Sequence, residues 1–171
     1  TFIMSDNMEI EKKYLVKSLP DNLADYECKT VEQGYLSITP VVRVRKQNDE
    51  YILTYKSGGL MIRKEIELPL DKDSYKHLLK KTDGCIISKK RYVIPDGTGH
   101  NIELDIFAKS LEGLIIAEVE FTSESEALSY NPPSWFDVEV TDNPAFQNST
   151  LSSLTDEVRV SFLKKYVYQK H

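Results

Sequence analysis

Along much of this chain polar and apolar residues alternate one by one, the side-chain period of a strand rather than of a helix. In Met8 to Val16 the alternation sets Glu9, Glu11 and Lys13 on one face and Ile10, Tyr14 and Val16 on the other. The same period returns in Val31 to Ser37, Val41 to Lys46, Glu50 to Tyr55, Ile62 to Leu68, Cys85 to Ile94, Asn101 to Ile106 and Leu114 to Phe121. Short turns such as Thr39-Pro40, Ser57-Gly58-Gly59 and Pro95 to Gly99 separate them. Asp71 to Thr82 breaks the period. Its acidic start, lysine-rich end and Tyr75, Leu78 and Leu79 predict an amphipathic helix closed at Gly84. Shorter helices are expected before about Cys28 and from the Ser123 cap to about Tyr130, where Asn131-Pro132-Pro133 ends the second. Trp135 to Thr141 reads as irregular or briefly extended, and Asn148 onward as helical to about Tyr168.

Eight strands joined mostly by short turns predict an α+β, mainly β fold: an eight-stranded antiparallel barrel with flanking helices. Residues 8 to 171 are read as one domain, and 1 to 7 as a leader or expression remnant. The alternation leaves two arrangements open. The aliphatic faces form the core with the charges solvated outside, or helices cover the aliphatic faces and the charges line the lumen. Four strands carry Glu-x-Glu or Glu-x-Asp, at Glu9/Glu11, Glu65/Glu67, Glu103/Asp105 and Glu118/Glu120. Like charges then stand roughly 7 Å apart on one face and repel unless cations intervene, which favours the second arrangement. Arginines at the same period, Arg43/Arg45, Arg63 and Arg91, offer forked donors suited to phosphate oxygens.

Composition narrows the partners. A formal charge of -5 argues against a protein that coats nucleic acid or membranes. Cys28 and Cys85 lack metal-ligand spacing and His77, His100 and His171 are scattered, so zinc is not expected and reduced cytoplasmic thiols are. No apolar run approaches a membrane span. A monomer or homodimer acting on a small anion is expected.

Glu9-Ile10-Glu11-Lys12-Lys13 resembles the Glu-x-Glu-x-Lys signature of the triphosphate tunnel metalloenzymes, the CYTH superfamily. In order follow Gln33-Gly34-Tyr35-Leu36, Arg43-x-Arg45, Leu53-Thr54-Tyr55-Lys56, Arg63-x-Glu65-x-Glu67, Lys90-Arg91-Tyr92, Glu103-x-Asp105-x-Phe107, Gly113-Leu114 and Ala117 to Phe121. The segment Ala108-Lys109-Ser110 departs from the family pattern by lacking a glycine. The resemblance implies a tunnel in which Lys13, Arg43, Arg45, Lys56, Arg63 and Arg91 bind phosphate oxygens. Glu9, Glu11, Glu65, Glu67, Asp105, Glu118 and Glu120 would hold Mg²⁺ or Mn²⁺, two ions being expected, with Glu103 a weaker candidate. Catalysis is expected to centre on Glu118, Glu120, Lys13 and Arg63. Lys89 is expected at the rim as a salt-bridge partner. The short members of the family imply hydrolysis of inorganic tripolyphosphate to pyrophosphate and phosphate. Class IV adenylate cyclase, thiamine or nucleoside triphosphatase, and a non-catalytic polyphosphate-binding module are the alternatives.

Overall fold

A computed structural model of the chain describes residues 8–168. The expected leader, 1 to 7, lies outside the described residues. Eight strands form the barrel: β1 (Met8–Val16), β2 (Glu27–Ile38), β3 (Val41–Gln47), β4 (Glu50–Lys56), β5 (Ile62–Leu70), β6 (Asp83–Pro95), β7 (Asn101–Ala108) and β8 (Ile115–Phe121). They pair antiparallel in the order β5, β4, β3, β2, β6, β7, β8, β1. The ring closes where β1 returns to β5 through Met8↔Lys64, Glu9↔Arg63 and Ile10↔Ile62. Beyond that point β1 leaves β5 behind. A ninth strand, β9 (Phe136–Glu139), takes over its free edge at Tyr14 and Val16.

Parity decides what the barrel encloses. Glu11, Lys13, Arg43, Arg45, Lys56, Arg63, Lys89, Arg91, Asp105 and Glu118 are all buried, so the charged faces point inward. The outward faces supply a conventional core. Tyr14, Ile94, Ile102, Leu104, Ala117, Val119 and Phe121 pack with Ala127 of α2 (Glu124–Leu128) and Phe136 of β9. The inward face is not charged throughout. Leu15, Tyr35, Val41, Ile87, Phe107 and Ile116 share its parity, and they cluster with Phe146, Leu151 and Leu163 from the C-terminal segment. One end of the barrel is therefore filled with apolar side chains.

The expected helices are shortened by specific contacts. The amphipathic helix is α1 (Lys72–Leu79), capped by Asp71, which accepts the Ser74 N–H at 2.7 Å. Gly84 does not close it but lies in β6, in the left-handed region at φ 69°, where a Cβ would stand 2.2 Å from the carbonyl oxygen of Ser152. The helix expected before Cys28 is a single 3₁₀ turn, Leu23–Asp25; Cys28 belongs to β2, whose ladder with β6 begins at Glu27↔Val93. The C-terminal helix is two helices, α3 (Asn148–Ser153) and α4 (Asp156–Tyr166). Leu154 is extended between them and Thr155 caps α4, accepting the Val158 N–H. Lys109, in the segment that lacks an expected glycine, is left-handed at φ 55°. Among the described residues no helix is long and apolar enough to cross a membrane.

Candidate active site

The inward residues sort by strand, and the strand order places them on two facing walls. Strands β4, β3, β2 and β6 bring Lys56, Arg43, Arg45, Lys29, Lys89 and Arg91 to adjacent positions. Strands β7, β8, β1 and β5 bring Glu103, Glu118, Glu120, Glu9, Glu11, Glu65 and Glu67. Lys13 and Arg63 are the cations standing within the acidic half, paired across strands with Glu118 and Glu9. These side chains surround a cavity of about 270 Å³.

On the acidic wall the carboxyls crowd one another. Burial and the neighbouring Glu65 raise the pKa of Glu9 against the pull of Lys56, and burial and Glu118 raise that of Glu11 against Lys13. Glu120 is pushed up to about 7 by burial and then by Glu9, Glu103, Glu65 and Glu11. Burial would raise Glu118 too, but Lys13 and Arg91 outweigh it and hold it below the ordinary carboxylate value. Ammonium groups occupy the gaps. Lys56 Nζ lies 2.9 Å from Glu9 Oε1 and 3.3 Å from Glu65 Oε2, and Lys13 Nζ lies 3.7 Å from Glu11 Oε1 and 3.9 Å from Glu118 Oε1. The buried Glu65 Oε2 still makes no hydrogen bond. Among the described residues no three carboxyl, imidazole or thiol groups form a ready-made ion cage. The donor set nonetheless fits a hard divalent cation: oxygen ligands on facing carboxylates, with an ammonium standing between each pair where positive charge is wanted.

The basic wall shows the opposite imbalance. Among the described residues Arg43, Arg45 and Arg63 have no carboxylate within salt-bridge distance, although each is buried. Arg43 donates Nη2 to Thr54 Oγ1 at 3.2 Å while its Nε is buried without an acceptor. Arg63 gives Nε to the carbonyl of Ser57 at 3.1 Å, and Arg45 gives Nε to Gln33 Oε1 at 2.8 Å. Burial first, and then Arg43 and Arg91, push Arg45 down to about 9. Buried guanidinium groups without counter-ions are costly unless an anion completes them.

Arg91 is different. It donates to both oxygens of Asp105 at 2.7 and 2.8 Å, and it contacts Glu118 at 3.4 Å and also Glu103. Asp105 is fully buried, with Lys89 Nζ 2.7 Å from its Oδ2, and it does not line the cavity. Arg91 and Lys89 outweigh burial and hold its carboxyl far below the ordinary range. The structure thus sets Asp105 behind the wall as the anchor of two cations, apart from the other residues expected to hold metal. Lys89 is the expected salt-bridge partner, to Asp105, but it is not at the rim: it is deep in the wall, where burial, Arg91 and Arg45 push it down to about 7 against Asp105.

The remaining expected site residues, namely Glu9, Glu11, Lys13, Arg43, Arg45, Lys56, Arg63, Glu65, Glu67, Arg91, Glu103, Glu118 and Glu120, are gathered around one cavity. Sequence reasoning missed Lys29, Asn148 and Ser149, which also line it. Lys29 shares the parity of Val31 and Gln33 and pairs with Arg91 across strands, a signal present in the alternation. Asn148 and Ser149 arrive from α3, and no strand period announces them.

No family model matches the chain. An inorganic triphosphatase of Nitrosomonas europaea is 39% identical over 150 residues, covering 84% of this chain and 96% of that protein. An inorganic triphosphatase of Acetivibrio thermocellus is 34% identical over 155 residues, 84% and 92% of the two chains. A crystal structure of an inorganic triphosphatase superposes with a TM-score of 0.66 at 36% identity, covering 86% of this chain and 95% of the other. With this identity spread over most of both partners, and with the same barrel enclosing the charged faces, the chain belongs to the CYTH-type inorganic triphosphatases.

Proposed function

We propose that the protein hydrolyses inorganic tripolyphosphate, water adding to a terminal phosphorus as its bridging P–O bond breaks, so that phosphate and pyrophosphate leave. The observation that carries this reading is the set of buried arginines that lack carboxylate partners, Arg43 and Arg45 facing a wall of carboxyls and Arg63 standing within it. A polyanion completes the first group and a divalent cation the second, and a triphosphate with its metal ion is both at once.

Arg43 and Arg45 grip phosphate oxygens from one side, with Lys56 and Arg91 at the edges of the same wall. Lys13 and Arg63, the two cations within the acidic half, contact the phosphoryl group being transferred and the charge that spreads from it. Glu9, Glu11, Glu65, Glu67, Glu118 and Glu120 would hold Mg²⁺ or Mn²⁺, with room in the donor set for two ions. Such an ion, when bound, neutralises charge and lowers the pKa of its water. Glu118 and Glu120 would orient the attacking water. Asp105 holds Arg91 and Lys89 in place. Residues 8 to 171 act as one domain, in the cytoplasm, as a monomer or homodimer; the unbridged Cys28 and Cys85 are in keeping with a reducing compartment.

The test is phosphate release from tripolyphosphate, ATP and thiamine triphosphate, each with Mg²⁺, with Mn²⁺ and with chelator. Turnover of tripolyphosphate in preference to the others, abolished by chelator, is expected. Cyclic AMP and pyrophosphate from ATP would replace this reading with a cyclase, and tight binding without turnover would replace it with a binding module.

A further inference from the structure

Within the basic wall, Gln33 and Asn148 form a chain of two amides between Arg45 and Lys89. Gln33 is fully buried. Its Oε1 accepts from Arg45 Nε at 2.8 Å, and its Nε2 donates to Tyr35 Oη at 2.9 Å and to Asn148 Oδ1 at 3.4 Å. Asn148 Oδ1 also accepts from Lys89 Nζ at 3.0 Å. The direction of every bond is set by the ends of the chain. A guanidinium can only donate, so Gln33 must turn its oxygen to Arg45; its NH₂ is then left for Tyr35 and Asn148, whose oxygen faces Lys89.

At the edge of the same wall a cation is fixed by carboxylates instead, as Arg91 is by Asp105, Glu103 and Glu118. That solution fixes geometry but cancels charge. An amide accepts the same hydrogen bond without cancelling anything, so Arg45, which lines the cavity, keeps its full charge. We propose that Gln33 and Asn148 are positioning residues for anion binding, uncharged supports that aim Arg45 into the lumen and join it to α3 while leaving its charge to the substrate. This rests on the reading above in which Arg45 contacts phosphate.

The chemistry supplies a test that separates charge from shape. Gln33→Glu keeps the length and the acceptor to Arg45 but adds a negative charge beside it; Asn148→Asp does the same beside Lys89. A support that served folding alone would tolerate Asn148→Asp, which keeps the acceptor for Lys89 and Gln33, whereas Gln33→Glu also turns the donor to Asn148 Oδ1 into an acceptor and costs stability apart from any effect on binding. The proposal requires that both weaken binding. Gln33→Glu should raise KM for tripolyphosphate by about tenfold or more, with kcat changed far less. Asn148→Asp should shift KM in the same direction. Pyrophosphate binding, measured by calorimetry in chelator, should weaken in parallel, and that readout needs no turnover. Unchanged KM and unchanged pyrophosphate affinity in Gln33→Glu would overturn the proposal. So would a loss of affinity in Asn148→Asp that merely tracks a fall in melting temperature. An unaltered protein that binds pyrophosphate but leaves tripolyphosphate intact would refute the hydrolase reading alone, and the comparison of affinities between variants would still decide the role of Gln33.

Discussion

Glu120 gathers the repulsion of the acidic wall into one titration. Its carboxyl is raised from the ordinary 4.5 to about 7 by burial and by Glu9, Glu103, Glu65 and Glu11. A raised carboxyl contributes stability that is full below the ordinary value and is lost as pH rises through the folded one. In metal-free protein, the melting temperature should fall between pH 5 and pH 8 more steeply than in Glu120→Gln, as followed by circular dichroism. Equal slopes would mean that the carboxyls do not share this field. Asp105 has the opposite sign. Its carboxyl is depressed by Arg91 and Lys89, so its contribution is present above the ordinary 3.8 and is lost as pH falls below it. Asp105→Asn would leave Arg91 and Lys89 buried with their main partner gone. Denaturant unfolding should show a loss of about 3 to 5 kcal/mol, whereas a residue serving only as a metal ligand would cost little in metal-free protein.

At the scale of elements, the seat of α3 depends on a single glycine. Gly84 is left-handed and its α-hydrogen faces the carbonyl of Ser152 where a Cβ would stand at 2.2 Å. Gly84→Ala combines a clash with backbone strain, and unfolding should register a loss of about 2 kcal/mol or more. Because α3 carries Asn148 to Lys89 and Gln33, KM should rise as well. The strands of the barrel were legible because their period is short and most of their charges are of one parity: Glu9, Glu11 and Lys13 announce an inner face that Glu118 and Glu120 repeat. Depth along the barrel axis was not legible. Leu15 and Ile116 share the parity of Lys13 and Glu118, yet they belong to the filled end, and a period of two residues carries no information about distance along the axis. The C-terminal break was hidden for another reason. Ser152 to Thr155 are tolerated within a helix, and only the capping of α4 by Thr155 and the extended Leu154 end it. Asp105 shows the limit within the site: its spacing is that of the other acids, but both its oxygens are taken by cations.

Over the whole molecule, charge is divided by strand order, with cations on β4, β3, β2 and β6 and most carboxyls on β7, β8, β1 and β5. Each wall lacks what the other half of a metal polyphosphate supplies, so ion and anion should bind cooperatively. Mg²⁺ with pyrophosphate should raise the melting temperature by more than the sum of the two added singly. A ligand at a hundred times its Kd adds about 2.7 kcal/mol, a shift that scanning fluorimetry resolves, and strictly additive shifts would refute the coupling. The apolar end, where Leu15, Tyr35, Val41, Ile87, Phe107 and Ile116 meet the C-terminal segment, has a consequence for traffic. A chamber closed at that end would have one doorway, and arrival and departure would share a path. The fragment standing nearer the doorway must leave before the deeper one can follow, so departures keep a fixed sequence, and a fragment lingering at the threshold detains its companion and bars the next arrival.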